Sequence, residues 1–96
     1  DILKKNLVLS KKITQLFSSL EDLPIYDLRN IGMIWAFELD SKISIDKVLE
    51  FSLNKGLLIR PIDHTIYFMP PYCIKESEAK HMVKITRQAI LYAINN

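Results

Sequence analysis

Glycine occurs twice in this chain and cysteine once. Two glycines cannot build a glycine-rich phosphate cradle, and no G-x-G-x-x-G, P-loop, H-E-x-x-H or G-x-S-x-G pattern is present. One cysteine excludes an internal disulfide framework, and Cys73, His64 and His81 fall at no zinc-ligand spacing. Thirteen lysines and arginines against eleven acids leave a net charge of +2, too weak a field to favour nucleic acid or an acidic membrane. No uninterrupted apolar run exceeds the seven residues from Ile31 to Phe37, far short of the roughly 20 that span a bilayer. The opening residues show no signal-peptide pattern.

What is present is enough for one thin core. The 96 residues are 49% apolar, too high for disorder, and a chain this size buries roughly 65% of its unfolded surface. It opens at Asp1, without methionine and already in helical sequence, which reads as a piece of a longer protein.

Residues 2 to 20 carry Leu9, Ile13, Leu16, Phe17 and Leu20 at steps of three and four, the stripe of an amphipathic helix. Lys4, Lys5, Lys11 and Lys12 fall on the opposite arc and read as its solvated back. After Pro24 the period shortens. Residues 25–29 and 33–39 are rich in β-branched and aromatic side chains, with Met33, Trp35, Phe37 and Leu39 on one face. Ile34 and Ala36 are apolar on the other face, so the second strand is expected to be covered on both sides. Gly32 between the runs reads as a bulge or bend rather than a tight hairpin.

Ser44 is an N-cap with Asp46 in the first turn, and Ile45, Val48, Leu49, Ser52 and Leu53 form a helical stripe stopped by Gly56. Residues 57–61 and 65–69 read as two short strands around a turn at Ile62-Asp63-His64, an antiparallel hairpin with Pro61 closing its first strand. Pro70-Pro71 closes the second strand. From about Glu76 a long helix follows, with Ala79, Met82, Val83, Thr86, Ala89, Ile90, Ala93 and Ile94 in its stripe. The order is helix, two strands, helix, two strands, helix. An α+β fold satisfies it: a mainly antiparallel four-stranded sheet with three helices packed on one face.

Catalytic machinery is sparse. His64 has the pKa range of an acid–base group but reads as a solvent-facing turn residue; His81 reads as structural and Cys73 as a spectator thiol. Arg60 stands apart, because it ends an apolar strand, is held extended by Pro61, and has only Asp63 nearby in sequence. A guanidinium fixed at a hairpin tip can present its planar fork to a carboxylate or phosphate. A structural salt bridge to Asp63 or Glu38 is the other reading, and both remain open at this level.

The block from Arg60 to Tyr72, with Arg60-Pro61, a short turn, Tyr67 and Met69-Pro70-Pro71-Tyr72, resembles the C-terminal signature of the biotin-pathway branch of the class III pyridoxal-phosphate aminotransferases. Asp27-Leu28-Arg29-Asn30-Ile31-Gly32, followed by Glu38, resembles a strand pair general to that class, and Gly56 to Arg60 also fits. The likeness runs from about residue 20 to 94. It implies the small domain of a fold-type-I aminotransferase, with residues 1–20 a helix leading from a large domain and 21–96 the small domain itself. Arg60 matches the substrate-carboxylate arginine of the family and Tyr67 a tyrosine lining the same pocket. One departure is that the family commonly has Phe-Gly after Arg-Pro, where Ile62-Asp63 stands here.

The resemblance also implies that pyridoxal 5′-phosphate, its Schiff-base lysine and every catalytic residue belong to the large domain. No cofactor is then expected on these residues, and Lys42, Lys47 and Lys55 match no lysine motif. Expected partners are that large domain, a second subunit and the carboxylate of an amino-oxononanoate, with S-adenosylmethionine as amino donor, in the cytoplasm; no metal, nucleic acid or membrane is expected. A stand-alone α+β ligand-binding or dimerisation module, and the small domain of another class III aminotransferase, are the alternatives.

Overall fold

The computed structural model describes residues 2–57, 59–70 and 74–95, with side chains described from residue 8 onward. The expectations placed on Asp1, the side chains of Lys4 and Lys5, Leu58, Pro71, Tyr72 and Cys73 lie outside the described residues.

The elements follow the expected order: α1 (Ile2–Ser18), β1 (Ile25–Ile31), β2 (Ile34–Leu39), α2 (Ile45–Asn54), β3 (Arg60–Ile62), β4 (Thr65–Phe68) and α3 (Glu76–Asn95). The strands form one antiparallel sheet in the order β1-β2-β4-β3. This is the expected α+β architecture. Alternation puts Trp35, Phe37, Ile66 and Phe68 on the face that meets the helices, all buried. Phe17 of α1 stacks on Trp35 and tilts against Phe68, at centroid distances of 5.9 and 5.0 Å. Ile13, Leu20, Ala89 and Ile90 complete the same cluster.

Polar groups are satisfied where helix and sheet meet. The Trp35 indole N–H donates to Thr14 Oγ1 at 2.9 Å, while that hydroxyl donates to the Ser10 carbonyl at 2.8 Å. The Ser10 hydroxyl donates to the Gly32 carbonyl at 3.0 Å, tying α1 to the β1–β2 turn. Ser52 Oγ is the exception: the residue is 1% exposed and its hydroxyl has no partner among the described residues.

Local capping explains α2. The Ser44 hydroxyl accepts from the Lys47 N–H at 3.3 Å. At the other end Gly56 takes φ +80°, the Leu57 N–H reaches the Ser52 carbonyl at 2.8 Å, and the Gly56 N–H reaches Leu53 at 2.9 Å. That pair of bonds is the Schellman stop that a left-handed glycine permits. At the start of α3, Glu78 Oε1 accepts from the Lys75 N–H at 2.9 Å, the returning half of a capping box.

Several local expectations are corrected. Gly32 is the first residue of a tight two-residue turn, since Ile31 pairs directly with Ile34 and Gly32 takes φ +57°. The bulge lies instead between Tyr26 and Arg29, where Asp27 adopts φ +54° and the register shifts. The first helix ends at Ser18 rather than 20, and Leu20 is buried from the following turn. Leu53 and Ile94 are exposed, while Phe51 and Ile85 pack inward; Phe51 lies 5.4 Å from the Tyr92 ring. Pro61 sits inside β3, pairing with Ile66, which it can do because β3 is an edge strand with one side free of the ladder. The expected double covering of β2 is absent among the described residues: Ile34, on the face away from the helices, is 44% exposed.

Candidate functional site

Cross-strand register defines the site. Arg29 pairs with Ala36, Ala36 with Tyr67, and Tyr67 with Arg60, so these four residues form one transverse row across all four strands. Directly paired residues point to the same side, and Ala36 lies between the inward Trp35 and Phe37. The row therefore occupies the face away from the helices. Three strand spacings separate its ends, placing the Arg29 and Arg60 Cα atoms roughly 14 Å apart.

Arg60 does not end its strand at the hairpin tip, as the sequence implied; it begins β3, opposite Tyr67 at the hairpin base. The turn itself is only Asp63-His64, because Ile62 pairs with Thr65. Asp63 takes φ +54°, a left-handed conformation that aspartate tolerates better than most residues. Arg60 is exposed, and among the described residues no ion pair or side-chain hydrogen bond engages it. Both acids that could have neutralised it are accounted for. Glu38 pairs with Arg29 at 3.9 Å, and Asp63 makes no ion pair among the described residues.

Arg29 is restrained differently. Its guanidinium also donates to the Asp27 carbonyl at 2.8 Å, so bulge and ion pair hold it in place. Between Arg29 and Tyr67 lies a shallow apolar trough of about 190 Å³, lined also by Asn30, Ile31, Ile34 and Ala36; Arg60 stands beyond the tyrosine and does not line it. Ala36 is only 5% exposed although no helix covers it, because its larger neighbours shelter its small side chain. Tyr67 is half-buried.

At the far end of the same face the Tyr26 hydroxyl donates to Asp40 at 2.9 Å. That bond raises the phenol pKa above its ordinary value. The Asp40 carboxylate is held low, first by the Lys42 backbone N–H and then by Tyr26. His64 and His81 are both exposed; His81 lines a separate cleft of about 460 Å³ with Lys55 and Glu78, between α2 and α3. Among the described residues no group of three metal-ligating side chains forms, and no helix is long and apolar enough to cross a membrane.

Sequence reading singled out Arg60 and Tyr67 but did not bring Ala36 or Arg29 to their side. The signal was present in the two-residue alternation of each strand. Joining the strands into a row needed the pairing of β2 with β4, which are far apart in sequence.

Comparison with known proteins gives a consistent result. The family model for class-III aminotransferases matches residues 1–90. An adenosylmethionine-8-amino-7-oxononanoate aminotransferase from Helicobacter pylori is 37% identical over 92 residues, covering 86% of this chain and 21% of the relative. The solved structure of the same-named enzyme from Methanocaldococcus jannaschii superposes with a TM-score of 0.74 at 26% identity, over 96% of this chain and 23% of that one. A transaminase from ancestral reconstruction reaches a TM-score of 0.84 at 22% identity, over 98% of this chain and 24% of that one, a likeness of fold alone. The chain thus spans about a fifth of the length of the curated relatives it matches.

Proposed function

This chain belongs to the class-III aminotransferases, and from that premise we propose that it forms the small, substrate-closing domain of a biotin-pathway aminotransferase. The reaction is transfer of an amino group from S-adenosylmethionine to 8-amino-7-oxononanoate, the pair in the names of its relatives. Residues 1–20, which include α1, lead in from a large domain, and residues 21–96 form the small domain, within a cytoplasmic homodimer.

The observation that carries the reading is the Arg60–Tyr67 pair. The two lie opposite each other on the open face, and the guanidinium has no acid among the described residues to neutralise it. A free guanidinium beside a phenol suits a carboxylate, which accepts two parallel N–H bonds from the fork and a third from the hydroxyl. Fixing the carboxylate fixes the distance to the reacting carbonyl at the other end of the substrate, which is a contribution of orientation rather than of proton transfer.

Class-III enzymes use pyridoxal phosphate, whose aldehyde would take up the migrating amine and whose pyridine ring would act as the electron sink. The described residues do not fit that group: none of the strand positions sharing the face of Arg60 and Tyr67 is a lysine, and the chain's two glycines stand apart in separate turns. Catalytic residues are therefore assigned outside this segment, which is expected to be inactive alone.

The test is Arg60→Ala in the full-length enzyme, with each half-reaction followed separately. With the large domain closed over the bound substrate the pair is buried, and truncating one partner of a buried pair costs about 2–5 kcal/mol, so kcat/KM for the amino-oxononanoate falls roughly thirtyfold or more. Unchanged kcat/KM for that substrate overturns the assignment.

A further inference from the structure

The geometry points to the trough over Ala36 as the subsite for the methylenes next to the substrate carboxylate, with Ala36 as the residue that determines how much apolar chain is accepted. The inference rests on the carboxylate role proposed for Arg60. It adds a specificity-determining residue for the alkyl chain of that substrate.

Three observations converge. The row Arg60, Tyr67, Ala36, Arg29 is continuous, and the trough starts at Tyr67, the cross-strand neighbour of Arg60. From Tyr67 to Arg29 it covers two strand spacings, roughly 9–10 Å, which accommodates several methylenes. The charges at the two ends of the row differ: Arg29 is occupied by Glu38 and by the Asp27 carbonyl, whereas Arg60 has no acid among the described residues. A chain with one carboxylate consequently has one orientation, anionic end at Arg60 and apolar part over Ala36. Finally, Ala36 is the small side chain of the row, and Ile34 and Tyr67 stand above it. A larger residue there fills the trough without touching Arg60. Burying each methylene in such a site strengthens binding about fourfold.

The probes are butanoate, hexanoate and octanoate, titrated calorimetrically into the full-length protein and its Ala36→Leu, Ile34→Ala and Arg60→Ala variants. The wild type is expected to tighten about fourfold per added methylene until the trough is full. Ala36→Leu flattens that series, weakening octanoate at least tenfold and butanoate less than twofold. Ile34 is half-exposed, so Ile34→Ala leaves the fold intact and weakens octanoate while sparing butanoate. Parallel series in wild type, Ala36→Leu and Ile34→Ala overturn the trough assignment, as does equal loss for all three acids. Arg60→Ala separates the two readings. If it weakens all three acids alike and Ala36→Leu flattens nothing, the trough fails and the carboxylate role stands; if Arg60→Ala changes none of them, the carboxylate role itself fails.

Discussion

The two faces of the sheet are built from similar residues and put to opposite uses. On the inner face Trp35, Phe37, Ile66 and Phe68 lie at 0–3% exposure beneath α1 and α3. On the outer face Tyr26, Ile31, Ile34 and Ile62 are apolar or aromatic as well, yet Ile31 is 85% exposed. A strand of an ordinary antiparallel sheet turns polar side chains to water. Apolar residues gathered on an uncovered face, with a free arginine among them, are the composition of a contact or ligand surface. The inner face secures the fold; the outer face carries the Arg60–Tyr67 pair.

That contrast is tested first where the effect is largest. Trp35→Ala removes a fully buried ring together with its bond to Thr14, and the expected loss is about 3–5 kcal/mol in denaturant unfolding. A loss under 1 kcal/mol breaks the claim that the inner face holds the stability.

A second change on the helix side sharpens the same point. Ser52 hides a hydroxyl without a partner among the described residues, so Ser52→Ala is expected to stabilise by about 1 kcal/mol. A destabilised variant identifies a bond made by that hydroxyl.

Arg87 clamps the end of α1 to α3, donating to both Asp22 oxygens, at 2.8 and 3.1 Å, and to the Ser19 carbonyl. The hydrogen bond from Arg87 lowers the Asp22 pKa below its ordinary value. A carboxyl whose folded pKa is depressed adds stability above its unfolded pKa of about 3.9 and loses it as pH falls further, through the folded value. Arg87→Ala is thus expected to lower the melting temperature at pH 7 and to matter progressively less below about pH 4. An equal loss at both pH values assigns the effect to packing. The smallest change is expected from Ile31→Ser on the open face. It should shift stability by no more than about 0.5 kcal/mol while reducing binding of a hydrophobic dye; a larger loss shows that Ile31 is covered.

Helical periodicity located all three helices, and the caps of α2 show how local the signal is. Ser44 and Gly56 act through bonds to groups a few residues away, so their meaning is written in adjacent letters. Gly32 was misread because a left-handed glycine serves a bulge and a two-residue turn equally well; only the pairing of Ile31 with Ile34 separates the two. The same limit applied to Arg60. Pro61 looked like a strand end, since a missing N–H is tolerated either at an end or on an edge, and the order β1-β2-β4-β3 is what makes β3 an edge.

The amino-acid sequence alone determined the element types, most of the core residues, and the likeness of Arg60 and Tyr67 to a carboxylate site, because periodicity, capping and motif spacing are local properties. Tertiary structure decided that Arg29, Ala36, Tyr67 and Arg60 share one row, and that Glu38 engages Arg29 while leaving Arg60 without an acid among the described residues. The physical reason is register. Which residues face one another across a sheet is set when separate strands pair, and no stretch of chain contains that information by itself.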